Sequence, residues 1–271
     1  MLGDPLLDAI LAAIFGLVIG SFLNVCIYRL PRDLSVVAPR SFCSGCGRQI
    51  SWYDNIPLLS YVLLRGKCRY CDGSFSVRYP IVEALTAVCF FSAIHQYGFS
   101  GEALRLGIFS CLLIVLFFTD FETYILPDEV TIGGALLGLF LSLAFPQPAG
   151  LVSLLLPADR LPAGESLTDA VLGALIPAGA LWLIGELYFR IRGREGLGFG
   201  DVKMMLMLGS FTGLEGSLLS LIAGSVAGSL VGIVLLAMRG RSAATHELPF
   251  GSFLAAGALI LAHFGITGRL Y

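Results

Sequence analysis

Two aspartates stand where apolar segments meet polar ones, and together they could do acid–base chemistry. Asp201 begins the apolar run 201–215, and Asp120 ends another apolar run. A carboxylate that borders hydrocarbon is costly unless it faces protein or water. Two carboxylates brought close can share one proton, so that the charged one activates water while the protonated one acts as an acid toward a carbonyl oxygen.

Each aspartate also has an ordinary structural interpretation. Asp201 could be the N-cap of the helix that follows it. Asp120 could be one of several acids in a polar turn that also contains Glu122, Asp128 and Glu129. Composition alone therefore does not choose among these acids.

The stretch before Asp201 is rich in glycine. Gly196, Gly198 and Gly200 alternate along it, which removes side chains from one face of the loop and lets another backbone approach closely. We predict that Gly198 and Gly200 form a loop along which a peptide substrate approaches, with an ordinary glycine-rich turn as the alternative. Lys203, which follows, is expected to extend its amine toward the membrane surface.

Four cysteines form two CxxC pairs with a spacing that favours a structural zinc site. The pairs are Cys43 with Cys46 and Cys68 with Cys71, and 21 residues separate them, slightly more than in the usual zinc ribbon. Four thiolates complete a tetrahedral Zn2+ site and leave no position open for catalysis. Disulfides and a redox CxxC are the alternatives. A cytosolic location disfavours disulfides, and a redox motif would need only one pair.

The composition indicates a polytopic membrane protein. Of the 271 residues, 56% are hydrophobic and 13% are charged, and the mean hydropathy is +0.86. Soluble domains carry about 25% charged residues. The net charge of -2 comes without a basic patch or stripe, so the sequence shows no sign of nucleic-acid binding. We expect membrane lipid as a partner and no nucleic acid.

Hydrophobic runs predict an all-α fold with about eight transmembrane helices, at roughly 20 residues per crossing. The runs cover residues 6–28, 81–97, 102–119, 129–146, 167–189, 201–215, 217–238 and 248–266. We divide the chain into a first transmembrane helix at 1–30, a small cytoplasmic segment at 31–80 that is like a zinc ribbon and holds the four cysteines, and a membrane domain at 81–271.

Lysines and arginines orient these helices, because positive residues tend to stay in the cytoplasm. If the cysteine segment is cytosolic, then only three of the 17 positive residues lie outside, namely Arg105, Arg160 and Arg269. Both termini are then periplasmic. Asp120 and Asp201 would lie at the same, cytosolic face of the membrane.

Two motifs resemble those of the bacterial type IV prepilin peptidases, membrane aspartic proteases of the GxGD type. GFGD at 198–201 resembles the GxGD signature. TDFETYILPD at 119–128 resembles the second motif, an Asp followed seven residues later by Pro and then Asp or Asn. The resemblance covers nearly the whole chain. It implies that Asp120 and Asp201 are the catalytic pair, that Asp128 is not catalytic, and that 81–271 is the protease domain.

The resemblance also implies a substrate and a second activity. The substrate would be the leader peptide of a prepilin or pseudopilin at the bacterial inner membrane, and many family members share the tetracysteine segment. Family members typically also methylate the new amino terminus with S-adenosylmethionine. The stretches at 20–31 and 77–86 are similar to family stretches, and we take Gly20, Arg78 and Glu83 as candidates for the cofactor site. Helix packing at Gly20 and an ion pair between Arg78 and Glu83 are the alternatives.

Three other functions stay open. The chain could be a GxGD peptidase without methyltransferase activity, or a membrane-anchored zinc-ribbon scaffold without catalysis. It could also be a transporter with interfacial acids, but such proteins often show repeated halves and midplane sites. Here no repeat is visible, and both acids are predicted at one surface. The sequence carries no prediction of oligomeric state.

Overall fold

The structure, a computed structural model, describes residues 4–43, 45–148, 150–154, 161–194, 196, 198–239 and 248–264. Its helices are α1 (Pro5–Arg29), α2 (Leu59–Leu63), α3 (Arg78–Tyr97), α4 (Gly101–Thr123), α5 (Asp128–Ala144), α6 (Pro162–Arg192), α7 (Phe199–Arg239) and α8 (Phe250–Phe264). Short 3-10 turns occupy Leu30–Arg32, Trp52–Asn55 and Leu151–Leu154. The chain forms two compact units, Met1–Val115 and Leu116–Tyr271. The predicted division at 1–30, 31–80 and 81–271 stays a prediction.

Four of the described helices are long and apolar enough to cross a membrane by length and composition. They are Pro5–Arg32, Gly101–Thr123, Pro162–Arg192 and Phe199–Met238, and α8 is apolar but shorter. Large apolar side chains on these helices remain exposed, among them Phe15, Leu175 and Ile222. Hydrocarbon is the solvent that suits such faces. The prediction of an all-α polytopic membrane protein is confirmed.

In the first unit, α1 and α3 form an antiparallel pair. Gly20 of α1 packs so closely on α3 that an added Cβ would lie 2.7 Å from the Cα of Glu83. One turn further along α1, the side-chain amide of Asn24 donates to the carbonyl of Tyr79 at 3.1 Å. Glycine at position 20 is therefore required by the close approach of the two backbones.

The cysteine segment is held together by two short knuckles. Each contains one isolated β-bridge, Phe42 with Gln49 and Lys67 with Ser74. Backbone hydrogen bonds of 2.8 Å, from the N–H of Cys43 and that of Cys68, close the two turns. The sequence between the knuckles forms the Trp52–Asn55 turn and α2.

In the second unit, α7 changes direction at Gly213. This residue has φ 67 and ψ -171, which is outside the helical region. Asp169 of α6 accepts a hydrogen bond of 3.1 Å from the N–H of Leu214, and so caps the second half of α7. A Cβ at Gly213 would collide with the Asp169 carboxylate. Glycine supplies both the positive φ and the room for that carboxylate.

Packing against α8 shows how sharp this change of direction is. Leu126 lies close to Gly200 at the start of α7 and to Gly251 at the start of α8, while Gly228 packs on Phe253. In a straight helix, Gly200 and Gly228 would be about 42 Å apart, which these contacts forbid. The second half of α7 therefore runs back toward the level of Gly200. The two halves occupy the predicted runs 201–215 and 217–238.

Candidate active site and metal centre

Asp120 lies in the last turn of α4 with its carboxylate held by the start of α8. The side chain is buried, with 6% of the residue exposed. Its Oδ2 accepts the backbone N–H of Ser252 at 2.6 Å, and the Ser252 hydroxyl lies 3.0 Å from the same oxygen. That hydroxyl is also 3.0 Å from the carbonyl of Phe117. Because a hydroxyl carries one hydrogen, it donates to one of these two oxygens at a time.

Gly251 allows α8 to come this close. A Cβ at position 251 would lie 3.1 Å both from Asp120 Oδ2 and from the Cδ1 of Leu126. These distances are tighter than ordinary van der Waals contact. The absence of a side chain at Gly251 thus permits the first turn of α8 to approach the carboxylate.

Asp201 lies in the first turn of α7 and is buried, with 9% of the residue exposed. Its N–H donates to the carbonyl of Gly198 at 3.1 Å, and a Cβ at Gly198 would be 3.5 Å from Asp201 Oδ2. Gly200, which precedes Asp201, packs on Leu126, and Leu126 in turn packs on Gly251, which lies against the Asp120 carboxylate. Both aspartates, from helices far apart along the chain, therefore belong to one site.

Leu126 is the apolar side chain that the two halves of this site share. Its side chain would meet a Cβ at Gly200 at 3.2 Å and one at Gly251 at 3.1 Å. Gly200 precedes Asp201, and Gly251 precedes the serine that holds Asp120. The leucine comes from the short link between α4 and α5, so this link fixes the spacing of the two carboxylates.

Asp128 has a charged partner of its own. It forms an ion pair with Lys203 of α7, and its side chain is 59% exposed against 19% for the lysine. The amine of Lys203, which we expected to extend toward the membrane surface, instead joins the start of α7 to the start of α5. Asp128 is thus paired with a lysine of α7, and the prediction that it is not catalytic stays a prediction.

Sequence reasoning missed Ser252, Gly251 and Leu126. The sequence signal for Ser252 and Gly251 was weak. They stand at the beginning of the predicted run 248–266, on the side of the membrane predicted for the aspartates, where a small polar residue at a helix start reads as an ordinary cap. Leu126 was indistinguishable from any apolar residue in a turn.

The four cysteines meet at one point. The sulfur atoms of Cys43, Cys46, Cys68 and Cys71 all lie within 4.8 Å of one another. Those of Cys43 and Cys71 are 3.7 Å apart, and sulfurs bound to Zn2+ at about 2.3 Å in a tetrahedron are separated by about 3.8 Å. The cluster could hold a metal ion and is compatible with zinc. A hydrogen bond from the Cys46 backbone lowers the pKa of Cys43 to about 7, which favours the thiolate that a metal binds.

The residues proposed for the methyl donor are only partly together. Gly20 packs on the backbone of Glu83, whose buried carboxylate accepts the N–H of Leu58 at 2.8 Å. The guanidinium of Arg78 lies over the ring of Tyr79, 5.1 Å from its centre. Helix packing and the Leu58 hydrogen bond are sufficient to explain the geometry of Gly20 and Glu83, so a cofactor role for these residues stays a prediction.

Comparison with known proteins identifies the family. Residues 14–97 match the Bacterial Peptidase A24 N-terminal domain, and residues 107–233 match the Type IV leader peptidase family. A protein called prepilin leader peptidase/N-methyltransferase from Myxococcus xanthus is 37% identical over 89% of this chain and 67% of its own length. Proteins of the same name from Pseudomonas putida and Neisseria gonorrhoeae are 34% and 35% identical, over 97% and 85% of this chain and 92% and 83% of their own lengths. No solved structure matches this chain. The chain belongs to the type IV leader peptidase family.

Proposed function

We propose that this chain is an aspartic endopeptidase of the inner membrane that removes the leader peptide of type IV prepilins or prepilin-like secretion subunits. It also methylates the amino terminus that cleavage exposes. The observation that supports the peptidase function is that Leu126 packs on Gly200, which precedes Asp201, and on Gly251, which lies against the Asp120 carboxylate, so that both aspartates lie around one side chain. The names of the relatives supply the substrate class and the methyl transfer.

Cleavage follows from two carboxylates that share one proton. The ionised member takes a proton from water, and the resulting hydroxide attacks the scissile carbonyl carbon. The protonated member gives its proton to the carbonyl oxygen, and a proton then passes to the leaving nitrogen as the C–N bond breaks. Ser252 occupies Oδ2 of Asp120, so we assign Oδ1 to contact with water. Which aspartate carries the proton is a property of the pair.

The backbone of the glycine loop provides the approach to this site. Gly198 and Gly200 precede Asp201 without side chains of their own, and because Leu126 packs on Gly200, Gly198 is the less crowded of the two positions. An extended peptide can therefore come close to the carboxylates along this loop. The apolar amino-terminal helix of the substrate would lie among the transmembrane helices, which places the junction of leader and helix beside Asp120 and Asp201. The distribution of positive residues favours the cytosolic side for this site and the periplasm for both termini.

Two cofactors accompany this proposal. Zn2+ would be held by Cys43, Cys46, Cys68 and Cys71 in a closed site that has a structural role. S-adenosylmethionine would supply the methyl group. Gly20, Arg78 and Glu83 are the residues we propose near it.

Coexpression with a prepilin tests both activities in one measurement. The mass of the purified subunit reports loss of the leader and gain of a methyl group separately. We expect Asp120→Asn and Asp201→Asn to leave the leader uncleaved while the protein stays in the membrane. Glu129→Gln is the matched control, because Glu129 is an exposed acid in the same region. Full processing by either asparagine variant would refute the proposal that Asp120 and Asp201 are the catalytic pair.

The same measurements of subunit mass distinguish the alternative functions. Cleaved but unmethylated subunit would identify a peptidase without methyltransferase activity. Normal processing by both asparagine variants, combined with complete loss of function after metal removal, would favour a zinc scaffold without catalysis.

A further inference from the structure

The short helix α2 carries an apolar face that no other described element covers. Val62 and Leu63 are both 71% exposed, and Leu59 is 51% exposed. The neighbouring turn adds Trp52, also 71% exposed, and Tyr53. In water such a group of side chains would be unfavourable. These five residues are called the α2 face below.

A buried hydrogen bond fixes the depth of this face. The carboxylate of Glu83, 6% exposed, accepts the N–H of Leu58, the residue directly before α2. Glu83 lies about 7.5 Å along α3 from its first residue, Arg78. Because α1 and α3 are antiparallel, the same level on α1 is Gly20, which is about 13 Å before the end of that helix at Arg29. The beginning of α2 is therefore level with a point well inside the helix pair.

Residues that mark a membrane boundary lie at the end of the same helix pair. Tyr28 lies at the end of α1 with the exposed Arg32 just after it, and Arg78 and Tyr79 begin α3. Tyrosine and positive side chains are enriched where a membrane helix meets the headgroups. Leu58, directly before α2, is bonded to Glu83, which lies on the hydrocarbon side of these markers.

The backbone conformation of Leu58 indicates that specific contacts hold the start of α2 in place. Its φ of 58 is a backbone conformation that residues with a side chain rarely adopt, because it is strained. Its neighbours hold it there: Glu83 takes its N–H, and the hydroxyl of Ser60 donates to the carbonyl of Tyr53 at 3.0 Å, joining α2 to the preceding turn.

We propose that the α2 face is an interfacial anchor that inserts into the lipid headgroups and upper acyl chains beside α1 and α3. The partner is the bilayer itself. Arg65 and Lys67 follow α2 and are exposed, so their charges can contact lipid phosphates while the apolar side chains enter the bilayer. This anchor ties the cysteine segment to the membrane surface.

Fluorescence quenching in proteoliposomes tests the anchor on the full chain. The two native tryptophans, Trp52 and Trp182, are replaced by phenylalanine, and Val62→Trp then introduces a single reporter on α2. Gln49→Trp in the same background is the control, because Gln49 is an exposed residue of the first cysteine knuckle. Zinc content and leader cleavage verify that each variant is folded.

We expect the Val62→Trp reporter to emit at shorter wavelength than the control, to be quenched by lipids brominated near the headgroup, and to be severalfold less sensitive to aqueous iodide. Equal sensitivity of the two reporters to iodide, with no quenching by brominated lipid, would overturn the proposal. Shielding from iodide without quenching by brominated lipid would overturn it too, because a protein partner would then cover the face.

A second comparison tests the hydrogen bond between the Leu58 N–H and the Glu83 carboxylate. With the Val62→Trp reporter present, Glu83→Ala removes the acceptor of the Leu58 N–H, whereas Glu83→Gln keeps a carbonyl oxygen there. We expect iodide sensitivity to rise in the alanine variant and to change little in the glutamine variant. Unchanged iodide sensitivity of the reporter in a folded Glu83→Ala variant would contradict the role of this hydrogen bond. If that variant does not fold, the comparison between Val62→Trp and Gln49→Trp decides the proposal.

Discussion

Ser252 holds one oxygen of Asp120 with its backbone N–H at 2.6 Å and with its hydroxyl at 3.0 Å, although 132 residues separate the two along the chain. The serine lies in the first turn of α8, where free backbone N–H groups carry partial positive charge. The start of α8 is therefore a third component of the aspartate site, and it holds Oδ2 of Asp120.

The first prediction concerns the hydroxyl of Ser252. Ser252→Ala keeps the backbone N–H bond and removes the second donor. A hydrogen bond to a charged group is worth about 1.5–3 kcal/mol, so we expect kcat for leader cleavage to fall roughly tenfold or more. Expression and thermal stability should change little. The measurement is the rate of cleavage of a purified prepilin in detergent.

The control for this change is Ser220→Ala. Ser220 is a buried serine of α7 whose hydroxyl donates within its own helix, to the carbonyl of Gly216 at 2.7 Å. Its loss should leave kcat close to the wild-type value. Equal rates for Ser252→Ala and Ser220→Ala would show that the hydroxyl plays no part in positioning Asp120.

The second prediction concerns the room that Gly251 provides. Gly251→Ala places a Cβ about 3.1 Å from both Asp120 Oδ2 and Leu126 Cδ1, which should push the start of α8 away from the carboxylate. We expect a larger loss of cleavage than for Ser252→Ala, because both Ser252 bonds are lengthened together. Gly133→Ala on α5 is the control, since nothing lies within 4 Å of an added Cβ there. A fully active Gly251→Ala variant would contradict this geometry.

Much of this architecture could be predicted because the physics behind it is local. Hydrophobic runs follow from the length of a bilayer crossing, and the reversal of α7 follows from the glycine-rich exit of the run 201–215. Asp201 stands out because an acid is expensive next to hydrocarbon, whereas the choice of Asp120 among the acids of its turn rests on the resemblance to the prepilin peptidases.

The supporting residues could not be predicted because their roles depend on long-range contacts. Ser252 and Leu126 are ordinary residue types for a helix start and a turn, and only the packing of α7 and α8 gives them a partner. Lys203 shows the same limit: it follows Asp201 by two residues in sequence but pairs with Asp128, 75 residues away.

The third prediction concerns that ion pair. Lys203 and Asp128 join the first turns of α7 and α5, the helices on either side of Leu126. An exposed pair contributes about 0–1 kcal/mol to stability, so Lys203→Met should be folded. We expect a modest fall in kcat, because the pair positions α7 relative to the link that spaces the two aspartates.

A double-mutant cycle distinguishes this role from an independent effect of either charge. If the pair acts as a unit, Lys203→Met and Asp128→Asn should each lower kcat by a similar factor, and the double variant should be no worse than either one. Effects on kcat that multiply in the double variant would contradict the positioning role.

The last prediction concerns the metal. The cysteine cluster should bind one zinc ion per chain, detectable by elemental analysis of the purified protein, and Cys43→Ser or Cys71→Ser should lower that content. Cys111→Ser is the control, because Cys111 lies in α4 outside the cluster. The cysteines flank α2 and are tied through Leu58 to Glu83, all within the first unit, whereas Asp120 and Asp201 lie in the second. Zinc loss should therefore reduce methylation of the subunit more than cleavage of its leader. Equal loss of both activities, in a variant that remains in the membrane, would show that the zinc segment also supports the aspartate site.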